Sequence, residues 1–319
     1  AEDEPVIKWS RNLKRRLEQG RSEEFDQDKI RPMSYRPYYS QWLYDSELFV
    51  DERGAADTMF FDGNVSIAIS GTGSSKPFQV LASNQVFGVD YLEKTQSLPL
   101  CVRVDGTVGD NITDWALKQF RDHYRPGKGK QAQAVTKPAI FHYVYAVLHD
   151  PVYRDKYAQN LKREFPRIPL YGDTEVDFLR WAGWGEQLMK LHIGYETVEP
   201  WPLTRTDIDD DKARATGQSP KPLLKADKPG GRIVLDSETT LSGIPPEAWD
   251  YRLGNRSALE WVLDQYKEKT PRDATIREKF NTYRFADYKE KVIDLLARVT
   301  RVSVETQAVV EAMRGQARH

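Results

Sequence analysis

Apolar and polar positions change their period along this chain. Between Tyr35 and Val104 the apolar residues come in short runs: YRPYYSQWLY is aromatic-rich, VSIAIS alternates at Val65, Ile67 and Ile69, and QVFGVDY is a further run before the polar break at Glu93 and Lys94. Such runs predict strands, and DERGAAD and DGN between them predict turns. After Gly109 the period lengthens. DNITDWALKQFRDHY sets polar capping residues ahead of Trp115, Phe120 and Tyr124, which predicts a helix ended by RPGKGK. KPAIFHYVYAVLHDP places Ile140, Val144, Val147 and Leu148 at the spacing of a buried helix stopped by Pro151. VYRDKYAQNLKREF predicts a third helix, closed by the extended PRIPL, and a fourth spans Thr174 to His192 with Trp181, Trp184, Leu188 and Leu191.

From Arg205 to Gly231 the chain is rich in Asp, Lys, Pro and Gly without an apolar period, which predicts a long surface loop. GRIVLDSETTLSGIP then reads as a strand and a turn. SALEWVLDQY carries a capping box, Ser257 with Glu260, and an apolar face of Leu259, Val262, Leu263 and Tyr266. A last helix from Phe285 to Met313 aligns Tyr288, Val292, Leu295, Leu296, Val299, Val302, Val309 and Val310. Near the start, five of the nine residues from Lys8 to Arg16 are basic and none is acidic, with Ile7, Leu13 and Leu17 at helical spacing. This segment is a short surface helix whose basic face meets either water or phosphate. No internal repeat is present. The pattern as a whole predicts an α+β fold: a β-rich N-terminal half of mixed or antiparallel strands, a helical subdomain and a C-terminal helical segment.

Composition narrows the chemistry. The 319 residues give room for one large domain or two to three ordinary ones. Charged residues make up 30% but the net charge is only -1, so no global basic field advertises nucleic acid, and any cationic surface is local. One cysteine, Cys101, and five scattered histidines exclude a disulfide framework and disfavour tetrahedral zinc, which needs four clustered ligands. A reducing cytoplasm fits that usage. No apolar run approaches the roughly 20 residues that span a bilayer. The acidic start AEDEP lacks the regions of a signal peptide and reads as a cut through a longer chain.

The stretch GTGSSKPF resembles the opening of a phosphate loop, yet a Walker loop needs its lysine directly after the second glycine. The dinucleotide fingerprint needs a third glycine where Lys76 and Pro77 stand, and Pro77 leaves no helix N-terminus to cradle a phosphate. Backbone amides and the hydroxyls of Thr72, Ser74 and Ser75, beside Lys76, can still grip a single phosphate diester. Neither G-x-S-x-G nor H-E-x-x-H occurs. His142 and His149, two turns apart on an apolar helix, read as core or helix-end residues, and Asp209 to Asp211 as a solvated loop.

Several stretches resemble, as an ordered set, the C-terminal specificity region of the type ISP restriction-modification family. KIRPMSYRPYYSQWLYDSELF is similar to the tyrosine-arginine-proline-aromatic segment that follows the methyltransferase domain. KTQSLPLCVR, NITDWALKQFRDHY, AIFHYVYAVLHDPVYRDKYAQNLKREFPRIPL, YETVEPWPL, LSGIPPEAWDYRLGNRSALEWVLDQYKEKT and VIDLLARVTRVSVET continue the resemblance from Val6 to Val310. Family members string together a nuclease, a helicase, a coupler, an adenine methyltransferase and a target recognition domain. This sequence has no N-P-P-Y-type motif, no glycine motif for S-adenosylmethionine, and no helicase or nuclease motif. The resemblance therefore implies a recognition domain alone, which binds double-stranded DNA and is no enzyme by itself. S-adenosylmethionine, ATP and Mg would belong to upstream domains of the parent enzyme.

The resemblance implies a division into a basic linker helix over 1–30, a recognition domain over 31–246 and a C-terminal helical segment over 247–319. Within the recognition domain, 31–108 is β-rich, 109–195 helical and 196–246 loop and strands. Most contacts of such a reader go to phosphates while a few polar side chains read base edges. Candidate phosphate contacts are Ser74, Ser75, Lys76, Lys94, Arg125, Lys128 and Lys130; candidates for base readout are Asn84, Gln85 and Gln96. Tyr35, Arg36 and Pro37 read as a structural hinge with the upstream methyltransferase, the second expected partner. The competing reading is a protein-interaction or coupling module that docks on a helicase or methyltransferase without touching bases.

Overall fold

The structure, a computed structural model, describes residues 9–125, 127, 132–211, 215, 217–272, 274, 277–278 and 281–318. The basic helix is α1 (Arg11–Glu18), N-capped by Ser10, whose hydroxyl accepts from the Leu13 amide at 3.1 Å. It is fastened by Arg16, which donates to the carbonyls of Leu48 (2.8 Å) and Val50 (3.2 Å). The aromatic run is a hairpin, β1 (Ile30–Arg36) and β2 (Tyr39–Tyr44), turning at Pro37 and Tyr38. Tyr38 adopts a left-handed φ of 58°, which is costly for a bulky side chain. Its burial offsets that cost: it is 1% exposed, its hydroxyl donates to the Tyr251 hydroxyl at 2.9 Å, and its ring meets Tyr195 edge-on.

Three short strands follow, β3 (Ser66–Ile69), β4 (Val80–Ser83) and β5 (Gln96–Pro99), with β3 central and both neighbours antiparallel to it. QVFGVDY forms no strand; its Val86 only bridges Met33 of the hairpin. A second hairpin, β6 (Cys101–Val104) and β7 (Thr107–Asp110), turns at Asp105 and Gly106, both at positive φ as a tight turn of this kind requires.

After the single turn α2 (Ala56–Met59) the longer helices are α3 (Asp114–His123), α4 (Lys137–His149) and α6 (Glu175–Ile193), with the short α5 (Pro151–Lys156) between the last two. Threonines 113, 136 and 174 cap α3, α4 and α6, the last in a capping box with Asp177. The third helix stops at Lys156, shorter than its pattern suggests, and a 3-10 turn at Asn160–Lys162 swings Leu161 inward. The N-cap of α5 is Asp150, fully buried, whose carboxylate also receives Arg318 (2.9 and 2.6 Å) and the Tyr171 hydroxyl (2.9 Å).

The expected loop from Arg205 to Gly231 instead supplies, from its two ends, two of the four strands of an antiparallel sheet. Its strands β8 (Thr204–Asp207), β9 (Pro222–Asp227), β10 (Arg232–Asp236) and β11 (Thr239–Ser242) run in the order β8-β11-β10-β9. Both expected-loop strands lie at edges. β8 is exposed throughout and is held by polar pairing, Arg205 to both Glu290 oxygens at 2.9 Å and the Thr239 hydroxyl to Asp207 at 2.5 Å, while β9 buries only Leu224. Edge strands of this kind leave no apolar alternation to detect. The chain continues through α7 (Glu247–Asp250), β12 (Arg252–Leu253), β13 (Arg256–Ser257), α8 (Ala258–Tyr266) and, after a 3-10 turn at Phe285–Tyr288, α9 (Lys289–Arg314). The Ser257–Glu260 capping box forms at the start of α8.

Two apolar cores result, and the β4-β3-β5 sheet is the wall between them. Alternate residues of β3 and β4 face opposite sides: Ala68 and Leu81 join the first core, with Tyr38, Ile233, Leu241, Trp261 and Leu296. Ile67, Ile69, Val80 and Ala82 join the second, with Tyr143, Leu148, Phe178 and Trp181. Period two with both faces buried is thus a strand serving two cores. α9 spans both, placing Val292 to Val302 in the first and Val309 and Met313 in the second.

Candidate nucleic-acid interface

The segment between Ser70 and Gln79 links β3 to β4, so the glycine loop leads from strand to strand and presents no helix dipole. Gly71 is obligatory: a Cβ there would stand 2.1 Å from the Lys94 carbonyl oxygen. Gly71 N–H donates to the Glu93 carbonyl at 3.0 Å, and Lys94, itself at φ 53°, donates through Nζ to the Gly73 carbonyl at 2.9 Å. The loop therefore closes against residues 93 and 94. Inside it lies the Glu93 carboxylate, which accepts from the hydroxyls of Ser74 (2.5 Å) and Ser75 (2.8 Å) and from the amides of Ser75 and Lys76 (each 3.2 Å). These bonds, led by that from Ser74, bring the Glu93 pKa down to about 2.

Ser74, Ser75, Lys76, Lys94 and Gln96 gather at one end of the three-stranded sheet, Gln96 opening β5 opposite Ile69. Asn84 and Gln85 lie at the other end, past the Ser66–Ser83 and Ser66–Pro99 pairs. Asn84 is exposed. Gln85 is half-buried, its Oε1 accepting from the Ser34 and Ser40 hydroxyls at 3.3 Å each. Arg125 is exposed beyond the end of α3, on the helical part; Lys128 and Lys130 lie outside the described residues. The Tyr35–Pro37 segment packs on its own chain: Pro37 is buried, and the Arg36 guanidinium stacks on the Tyr35 ring at 4.3 Å and donates to the Tyr35 carbonyl at 2.7 Å.

Three features escaped the sequence reading. Glu93 looked like a mere polar break, although its neighbour Lys94 and the facing serines were the available signal. A groove of about 660 Å³ runs between the first hairpin and residues 86–97, lined by Arg31, Leu43, Phe60, Val89, Thr95 and Gln96. On the opposite face of the hairpin an aromatic patch stands open, with Phe25 75% and Trp42 76% exposed beside Ile30 and Phe49. Beside it, α1 exposes Arg11, Lys14 and Arg15. His149 and His192 are both buried; His149 Nδ1 bonds the Tyr145 carbonyl and His192 Nδ1 the Tyr145 hydroxyl. Among the described residues no cluster of His, Cys, Asp or Glu could hold a metal ion, and no helix is long and apolar enough to cross a membrane.

No curated protein matches the chain. Among solved structures it is similar to a chain of the DrdV–DNA complex seen by cryo-electron microscopy, with 48% identity and a TM-score of 0.90 over 98% of this chain and 31% of that one. A nuclease-deletion mutant of the Type ISP restriction-modification enzyme LlaGI, in complex with a DNA substrate mimic, matches at 26% identity and TM-score 0.72, over 96% of this chain and 26% of that one. The ATP-dependent Type ISP enzyme LlaBIII bound to DNA shares the fold, with 22% identity and TM-score 0.77 over 99% of this chain and 20% of that one. The chain thus spans less than a third of each of these solved chains. The model of the Type ISP C-terminal specificity domain matches residues 1–295, and the chain belongs to that family.

Proposed function

We propose that this chain reads a double-stranded DNA target for a type ISP restriction-modification enzyme and performs no covalent step itself. One observation carries the reading: the chain matches, over 98% of its length and at 48% identity, part of a chain solved in complex with DNA. Adenine methylation, cleavage and ATP-driven translocation, with S-adenosylmethionine, ATP and Mg, fall to upstream domains of the parent polypeptide in the cytoplasm. Within the chain, phosphate contacts come from the Ser74–Lys76 loop, Lys94 and Arg125 with the neighbouring Lys128 and Lys130, and base readout from Asn84, Gln85 and Gln96. The basic helix over 1–30 links to the methyltransferase. The recognition unit over 31–246 and the helical segment over 247–319 act as one body through their shared first core.

The open aromatic patch favours a second role for the same molecule, contact with the upstream domain, where Tyr35 to Pro37 set the hairpin. The test of the main reading is selection of bound duplexes from a random pool, followed by affinity measurement in a salt series. One enriched sequence is expected, with log K falling linearly against log salt. A chain that enriches no sequence and binds duplex without salt dependence would sink the reading in favour of the docking module.

A further inference from the structure

The donors of the Gly71–Lys76 loop are already engaged, and by an anion. Two consecutive amides and two hydroxyls converge on the two Glu93 oxygens. This is the arrangement with which loops bind phosphate, and a phosphodiester presents the same pair of oxygens and the same single charge as a carboxylate. The site opens to water: Thr72, Gly73 and Ser75 are exposed, and Glu93 is only half-buried. Its frame does not depend on the carboxylate. The Gly71 N–H bond to the Glu93 carbonyl, the Lys94 Nζ bond to Gly73 and the Gly73 N–H bond to the Lys162 carbonyl (2.7 Å) all survive if the Glu93 side chain swings out. Lys76 and Lys94 remain at the rim to hold a replacement anion.

We infer that the Gly71–Lys76 loop is a phosphate site that Glu93 keeps closed, and that a backbone phosphate of duplex DNA exchanges with its carboxylate on binding. The DNA half of this statement rests on the function proposed above; the anion half does not. Exchange leaves the displaced Glu93 charge beside the incoming phosphate, so the native loop binds more weakly than an emptied one. Glu93 is a competitor built into the recognition surface, setting a threshold that stray anions do not cross.

The experiment titrates the wild-type chain and Glu93→Ala with inorganic phosphate by calorimetry, then with mixed-sequence duplex in a salt series. Glu93→Ala is expected to bind phosphate at least about tenfold more tightly than wild type, and the gain to vanish when Ser74→Ala and Ser75→Ala are added. In the wild-type background the two serine substitutions are expected to weaken DNA binding, since they remove two of the donors that would hold the phosphate. Should Glu93→Ala lose the fold by circular dichroism, Glu93→Gln replaces it, because the amide removes the charge and keeps the size. A folded Glu93 variant that gains no phosphate affinity overturns the site and makes the loop a structural clasp. If wild type binds DNA but neither the Glu93 nor the serine variants change that binding, the exchange is overturned while the DNA-reading function stands. If wild type binds no duplex while Glu93→Ala gains phosphate, the function falls and the anion site stands.

Discussion

His149 and His192 lie side by side in the interior, ring centroids 5.3 Å apart, each 2% exposed. Burial drives both below their ordinary range, His149 to about 3 and His192 well down, with the neighbouring His149 adding to the effect of burial on His192. The Tyr145 carbonyl accepts from His149 Nδ1, the Tyr145 hydroxyl meets His192 Nδ1, Thr306 meets His192 Nε2 at 3.0 Å, and His149 Nε2 has no hydrogen-bond partner among the described residues. Proton binding would thus place a charge in the interior, where the cost of burial outweighs the one favourable bond from His149 to the Tyr145 carbonyl. The folded state takes up these protons only well below the pH at which an unfolded histidine does, about 6.5. Stability is therefore complete above that pH and falls as pH drops through the window beneath it, by up to about 1.4 kcal/mol per pH unit for each histidine. Glu23 and Glu93, held at about 2 against an ordinary 4.5, add their own loss only below that value. Urea unfolding between about pH 7 and about pH 5 isolates the histidines, to which half-buried His142, also lowered by burial, adds. The expected result is a loss that His149→Gln reduces; an unchanged slope in that variant would show that His149 does not titrate.

Where α4 crosses α6, Gly185 brings the two backbones together: a Cβ would lie 1.8 Å from the His142 carbonyl oxygen and 2.5 Å from its carbon. Backbone cannot step aside as a side chain can. Gly185→Ala, which gains about 1 kcal/mol in an isolated helix, is expected to lose about 2 kcal/mol or more here, measured by urea midpoint; a stabilised variant would mean that the helices part easily. This crossing also marks the limit of the sequence reading. The periods of Ile140, Val147 and Leu148, and of Trp181 and Leu188, gave both helices, yet not their separation, because contact distance depends on the residue that is missing a side chain. β8 and β9 were illegible for the opposite reason: their partners are Glu290, Thr239 and the edges of other strands, far away in sequence, and hydropathy does not record such pairs. At the candidate interface the loop was legible as an anion grip from its glycines and serines. That Glu93 fills it was not, because the carboxylate returns from beyond β4.

At the scale of the whole chain, two cores would ordinarily mean two cooperative units, since a chain of this length exceeds the usual range of single-transition unfolding. Three connections argue against that division. The sheet between the cores contributes side chains to each from alternate residues, so neither core can melt without stripping one face of β3 and β4. α9 runs from one core into the other without a break. A polar chain crosses the wall: the Ala82 amide donates to the Tyr145 hydroxyl at 2.9 Å, that hydroxyl bonds His192, and the His192 ring stacks on Tyr251, which holds the left-handed Tyr38 turn. Losing either core would orphan these buried groups in the other. Leu296→Ala in the first core and Leu188→Ala in the second are each expected to cost about 2–5 kcal/mol. Each is expected to shift one common transition, with far-UV and aromatic near-UV circular dichroism coincident. Two separable transitions, one moved by each substitution, would sever the cores. The recognition surface proposed above has its two ends on one small sheet and needs that coupling, because the spacing between the Ser74–Lys76 loop and Asn84 is fixed only while both cores are intact.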